Sequence, residues 1–215
     1  MKFYGYFRSS AAYRCRIAFN LKGLAPNFQS VHLRRGGGEQ KQEAYRSLNP
    51  QALVPTLESD GVFLNQSIAI IEWLDETYPG VRLVPEDKEL RAQVRAFSLA
   101  IACDIHPLQN LRVLDYLRNE IGCDQQALDK WCQRWIGDGL SACETIVSRF
   151  PGKTKFCFGD EPGLADICLV PQMFSAERFG IGVEAFPNLK RINLACSALS
   201  SFADAHPSRQ PDSEA

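Results

Sequence analysis

An α/β domain followed by an all-helical domain is the fold class the sequence predicts. Three observations carry it. Strand-like runs with period-two alternation, such as Phe3-Tyr4-Gly5-Tyr6-Phe7, all lie before Gln66. From Pro85 onward the apolar residues recur at helical spacing and strand signals nearly vanish. Between the two regions, Pro79, Gly80 and Pro85 punctuate a linker. The expected boundaries are an α/β domain over 1–80, a linker over 81–87, a helical domain over 88–207 and a mobile tail over 208–215.

The elements follow in order. Residues 2–7 read as a strand. Ala11, Ala12, Cys15, Ala18, Phe19 and Leu21 then mark a helix closed by Gly23. Phe28 to Leu33 is a second strand, and strand–helix–strand at this spacing makes the two strands parallel. Arg34-Arg35-Gly36-Gly37-Gly38 lacks a phosphate-loop pattern and reads as a mobile loop before a short helix near Gln40–Ser47. Asn49-Pro50 signals a turn. Asp60-Gly61 joins two antiparallel strands, Pro55–Ser59 and Val62–Asn65. Gln66-Ser67 opens a third helix that ends by Tyr78-Pro79-Gly80. Helices are then expected at about 88–119, 125–149, 163–178 and 188–204, with Pro107 kinking or dividing the first.

Composition excludes several classes. A net charge of −1 provides no global field favouring nucleic acid or an anionic membrane. No apolar run approaches the ~20 residues of a membrane span. Lys2, Arg8 and Ser9-Ser10 interrupt any N-terminal signal core, so a cytoplasmic location is expected. The eight cysteines are scattered without C-x-x-C spacing and read mostly as buried reduced thiols. Three separated histidines suggest no metal site.

Two places carry chemistry. Ser9-Ser10 and Gln66-Ser67 each stand at a helix start directly after a strand. Unpaired backbone N–H groups and the helix dipole there favour an anion, whether phosphate, carboxylate or thiolate. The same side chains also suit plain capping.

The stretch Ser9-Ser10-Ala11-Ala12-Tyr13-Arg14-Cys15-Arg16-Ile17-Ala18 resembles the S-S-C-x-[W/H/Y]-R-V-R-I-A signature of the zeta class of glutathione transferases. Asn49-Pro50 with Val54-Pro55-Thr56-Leu57 is similar to that family's N-P-x-x-x-V-P-x-L, and Gln66 to Glu72 to its Q-S-x-A-I-x-E. Cys103 to Leu114 looks like the bacterial branch of the class, and Leu164-Ala165-Asp166 with Leu169 to Gln172 resembles its later helix. Five motifs in order cover nearly the whole chain.

The resemblance implies a thioredoxin-like βαβ-ββα domain, a helical transferase domain, glutathione as cofactor and a homodimer. It implies glutathione-dependent cis–trans isomerisation of maleylacetoacetate, a step of tyrosine catabolism, by reversible thiolate addition. Maleylpyruvate is the alternative substrate. General glutathione conjugation and a non-catalytic binding module are the other readings. Ser9 is the implied thiolate donor, supported by Ser10. Val54, before a cis Pro55, would pair with the cysteinyl unit, and Gln66 and Ser67 with the γ-glutamyl carboxylate. His106 and Asn110 are implied on the glutathione side. Arg8, Arg112 and Arg178 would clamp the dicarboxylate substrate. Two positions depart from the pattern. Ala11 replaces the signature cysteine, so no protein thiol is available there, and Cys15 reads as core. Gly163 replaces a helix-capping threonine, which leaves Asp166 to complement that helix start.

Overall fold

A computed structural model describes residues 1–214. The chain forms two compact units. The first contains residues 1–83 and takes back the chain from Leu199 onward, and the second is Val84–Ala198.

The first unit is built on β1 (Lys2–Gly5), α1 (Ser10–Leu21), β2 (Asn27–Ser30), α2 (Glu43–Arg46), β3 (Thr56–Ser59), β4 (Val62–Asn65) and α3 (Ser67–Thr77). The sheet order is β2-β1-β3-β4. β1 and β2 are parallel, β3 is antiparallel to both β1 and β4. The hairpin turns at Asp60 (φ 49°) and Gly61 (φ 81°), the two positive angles a tight primed turn needs. One face of α1 packs Phe19 edge-on against Phe3 of β1 at 5.0 Å, and Leu57, Ile70, Ile71 and Leu74 complete a fully buried core. Lys22 and Asp75 form a buried ion pair at 3.0 Å. Lys22 also donates to the Val81 carbonyl, and Asp75 accepts from the Leu83 N–H. Such a pair stays stable underground only because these extra bonds satisfy it. It ties the stretch read as a linker to α3.

Two expectations for this unit are corrected. The glycine-rich segment after Leu33 is not loose: it closes as a 3₁₀ turn over Arg35–Gly37, with the Arg34 and Arg35 N–H groups donating to His32 Nδ1. At Gly38 (φ 106°) a Cβ would stand 2.9 Å from the Leu33 carbonyl, so glycine is required there. The C-terminal segment is not a mobile tail. α9 (Ser200–Ala203) lies on α1, with Asn20 donating to the Ser201 carbonyl, and a 3₁₀ turn follows over Pro207–Arg209. Asp212 then accepts from the Phe7 N–H and the Ser30 hydroxyl, both at 3.0 Å. These partners lie at the far end of the chain, so local composition does not reveal them.

The second unit contains α4 (Lys88–Leu99), α5 (Leu111–Asn119), α6 (Gln125–Ser148), α7 (Leu164–Arg178) and α8 (Pro187–Ser197). The helix expected over 88–119 is divided. A π-helical turn, Ala100–Ile105, and a 3₁₀ turn, His106–Gln109, separate α4 from α5, with Pro107 early in the 3₁₀ turn. Against the π turn lies Gly139 of α6, where a Cβ would stand 2.3 Å from Ile105 Cγ1. The helix expected over 188–204 is likewise divided, because Leu199 is extended (φ −87°, ψ 133°). α6 presents Leu128, Cys132, Ile136, Leu140, Cys143 and Val147 to the core at helical spacing, and α7 is buried along nearly its whole length. Gly163 cannot cap α7. Asp166 does so instead, accepting from the Gly163 and Cys157 N–H groups at 2.9 Å each. Burial raises the Asp166 carboxyl above its ordinary value.

Candidate active site

The sheet places three sequence-predicted features at one end. β1 and β4 both run antiparallel to β3, so they point the same way. The register aligns Tyr4, Thr56 and Asn65 in one row. Immediately beyond that row come the chain leading to Ser9, the Val54-Pro55 dipeptide and the Gln66-Ser67 helix start. Open α/β sheets bind ligands at such strand ends.

Ser9 is the N-cap of α1, and its Oγ accepts from the Ala12 N–H at 3.2 Å. A hydroxyl that accepts one bond keeps its proton to donate elsewhere. Ser10 is the first residue of the helix and is buried. Arg8 is exposed, its guanidinium carbon 5.7 Å from the Phe7 ring centroid. The turn before Ser9 is held from both sides. Arg16 donates to the carbonyls of Phe7 (3.0 Å), Tyr6 (3.5 Å) and Ala205 (3.0 Å), while Asp212 accepts from the Phe7 N–H. Burial lowers the Arg16 guanidinium to about 10, still charged at neutral pH. Sequence reasoning gave no role to Arg16 or Asp212; the motif match contained only the former.

The Val54–Pro55 bond is cis, and both residues are buried. Their loop is fixed by Tyr45, whose hydroxyl donates to the Leu53 carbonyl at 2.8 Å, and by Asn49, whose amide donates to the same carbonyl at 2.7 Å. Gln66 adopts φ 70° as the N-cap of α3, but its side chain turns to Gln51 Oε1 at 2.9 Å and does not cap the helix. Gln51, unnoticed in the sequence, is therefore what orients Gln66. Ser67 is buried, and Arg14 donates to its Oγ at 3.0 Å.

The remaining sequence-predicted residues belong to the second unit. His106 opens the 3₁₀ turn, half-buried. Asn110 is the N-cap of α5 and accepts from the Arg112 N–H at 3.1 Å. The Arg112 side chain is exposed. Arg178 ends α7, exposed, with its guanidinium 5.9 Å and 5.7 Å from the Phe174 and Phe179 rings. Two arginines on different helices, both reaching solvent, suit recognition of carboxylates.

Protein thiols are poor nucleophile candidates here. Cys15, Cys132, Cys143, Cys157, Cys168 and Cys196 are buried and unbridged; Cys103 is exposed. Burial pushes Cys132 up to about 11 and Cys143 up to about 12, and raises Cys157 and Cys196 as well. Thiols so held stay protonated at neutral pH. Among the described residues no group of three or more His, Cys, Asp or Glu side chains could hold a metal ion, and no helix is long and apolar enough to cross a membrane.

The four-stranded sheet with a helical unit following in sequence is a thioredoxin-like domain joined to an all-α domain. Residues 8–77 match the glutathione S-transferase N-terminal domain and residues 138–199 the glutathione S-transferase C-terminal domain. A holo structure described as maleyl pyruvate isomerase, a bacterial glutathione transferase of the zeta class, superposes with a TM-score of 0.96 at 43% identity over 100% of both chains. The chain belongs to the glutathione S-transferase family, in its zeta class. It is 46% identical to maleylacetoacetate isomerase of Pseudomonas aeruginosa over 100% of both chains. It is 44% identical to maleylpyruvate isomerase of a Ralstonia species over 99% of this chain and 100% of that one. The structure of maleylacetoacetate isomerase from Methylobacterium extorquens with bound malonate and glutathione matches with a TM-score of 0.94 at 40% identity, covering 100% of each chain.

Proposed function

We propose that the protein is a glutathione-dependent cis–trans isomerase that converts maleylacetoacetate to fumarylacetoacetate. The observation that carries this reading is Ser9: a capping hydroxyl with its proton still available, at a helix start after a strand, in a full-length relative of maleylacetoacetate isomerases. The residues present fit a tripeptide thiol with charged ends. Among the described residues the start of α3 has no side-chain cap, and the buried Arg14 beside it has two nitrogens, Nε and Nη2, without a partner. Both features suit an anionic carboxylate.

When bound, glutathione would supply the thiol for reversible thiolate addition to the conjugated double bond of the substrate. Ser9 would donate a hydrogen bond from its hydroxyl to that sulfur, and the α1 dipole adds partial positive charge. Together they hold a thiol of reference pKa about 8.5 partly ionised near neutrality. Ser10 supports this donor. The Val54 backbone next to Pro55 pairs with the cysteinyl unit, and Gln66 and Ser67 hold the γ-glutamyl carboxylate. His106 and Asn110 contribute on the glutathione side. Arg8, Arg112 and Arg178 hold the substrate carboxylates. Ala11 leaves the chemistry to serine, helix dipole and cofactor, with no protein cysteine beside them. A homodimer, implied by the family resemblance, and the cytoplasmic location expected from the sequence complete the proposal.

Maleylpyruvate is the second substrate reading, favoured by the 43% and 44% identities to isomerases of that compound. Assaying both substrates with glutathione tests the choice. Turnover of maleylacetoacetate is expected. Conversion of maleylpyruvate alone contradicts the first reading, and conversion of neither removes the isomerase assignment.

A further inference from the structure

We propose that Arg14 is a positioning residue for the cofactor carboxylate: a buried cation that orients Ser67 and supplies the counter-charge at the start of α3. This rests on the glutathione reading above and deepens it.

Two buried arginines stand on α1, and they differ. Arg16 spends its N–H groups on the carbonyls of Tyr6, Phe7 and Ala205. That pattern is fully structural. Arg14 is 2% exposed, more deeply buried than Arg16, yet among the described residues it makes a single hydrogen bond, from Nη1 to Ser67 Oγ. Its Nε and Nη2 find no partner among the described residues, and no carboxylate there pairs with it. Leaving charged donors buried and unpaired is costly. A structural brace between α1 and α3 would be served as well by a neutral side chain. A guanidinium kept at this place points to an anion that arrives from outside the chain.

The geometry identifies where that anion sits. Ser67 is the first residue of α3, an 11-residue helix whose first-turn N–H groups lack a side-chain cap among the described residues. Because Ser67 Oγ accepts from Arg14, its own O–H proton is directed to another acceptor. The Cys15 thiol lies 4.0 Å from the Ser67 carbonyl, so the residue is held at both ends by α1. A carboxylate at this helix start would accept from Ser67 and from the backbone, with the Arg14 charge directly behind the hydroxyl. Arg14 acts through Ser67 and through its field, without touching the reacting atoms.

The test measures dissociation constants for glutathione and for its analogue lacking the glutamyl α-carboxylate, γ-aminobutyryl-cysteinyl-glycine. Wild type, Arg14→Lys and Arg14→Met are compared by calorimetry. Wild type is expected to prefer glutathione by at least about tenfold, and Arg14→Met to weaken glutathione by roughly 10–100-fold while weakening the analogue by at most about threefold. Arg14→Lys, which keeps the charge, should recover part of the loss. At saturating glutathione kcat should stay within about threefold of wild type, since a binding contribution is lost and not a transition-state one. Equal penalties for the two ligands would reduce Arg14 to a brace and overturn the proposal. If the variants do not fold, wild type alone decides: indifference to the missing carboxylate overturns it. Failure of wild type to bind either ligand would instead remove the glutathione reading, and this inference with it.

Discussion

Ser9 Oγ accepts from the Ala12 N–H at 3.2 Å, which leaves its hydroxyl proton for another acceptor. The cap uses a lone pair, whereas thiolate stabilisation uses the hydroxyl proton. The two roles are therefore compatible and can be separated by substitution. Glycine at an N-cap costs only a few tenths of a kcal/mol relative to serine. Ser9→Gly is expected to leave the unfolding midpoint almost unchanged while lowering kcat on the order of 100-fold, as loss of a preorganised donor does elsewhere. The alkaline-rising limb of the pH–rate profile should move up toward about 8.5, because the bound thiol loses the donor that favours its ionised form. Unchanged turnover would take Ser9 out of the mechanism.

Asp212 holds the turn that presents Ser9. Its carboxylate accepts from Phe7 N–H and Ser30 Oγ, and Asp212→Ala leaves both without this partner. A loss of about 1–3 kcal/mol in stability is expected, with faster amide exchange at Phe7. If exchange at Phe7 does not change, the C-terminal segment is not what fixes this turn.

Gly139 is set against Ile105 of the π turn. An alanine would gain roughly 1 kcal/mol of helix propensity, but its Cβ would meet Ile105 Cγ1 at 2.3 Å. Overpacking of that kind costs about 1–3 kcal/mol, so steric strain wins and Gly139→Ala should destabilise. Ile105→Ala in the same chain should cost less than the two single effects combined, measured as a double-mutant cycle in urea. Simple additivity would show that the two residues do not press on each other.

Arg178 lies on the solvent side, near Phe174 and Phe179, and its replacement should not unfold the protein. Arg178→Lys keeps the charge but loses the planar fork. KM for the dicarboxylate substrate is expected to rise by roughly tenfold, with KM for glutathione unchanged. A rise in the glutathione KM instead would move Arg178 from the substrate to the cofactor.

The α/β pattern was readable because each strand ends at a turn residue and each helix starts with a polar one: Asp60-Gly61 between two alternating runs, Ser9 before a helical stripe. Local signals sufficed there. They failed where a distant partner decides the conformation. The run Ile101-Ala102-Cys103-Asp104-Ile105 has helical periodicity, yet it forms a π turn, with Ile105 set against Gly139 of α6. The C-terminal residues look like a polar tail until Asp212 finds Phe7 across 205 positions of sequence. In the site, the serines stood out because helix starts have a sequence mark. Arg14 and Gln51 did not, since an arginine inside a helix normally reads as surface and a glutamine in a loop as solvent-exposed. Their hydrogen-bond partners, Ser67 and Gln66, lie 53 and 15 positions away.

The glutathione balance during turnover tests the isomerase reading most directly. With maleylacetoacetate in excess over glutathione, fumarylacetoacetate should accumulate well beyond the glutathione present, and the free thiol concentration should be the same at the end as at the start. Consumption of one glutathione for each product formed would contradict reversible thiolate addition and make the protein a conjugating transferase.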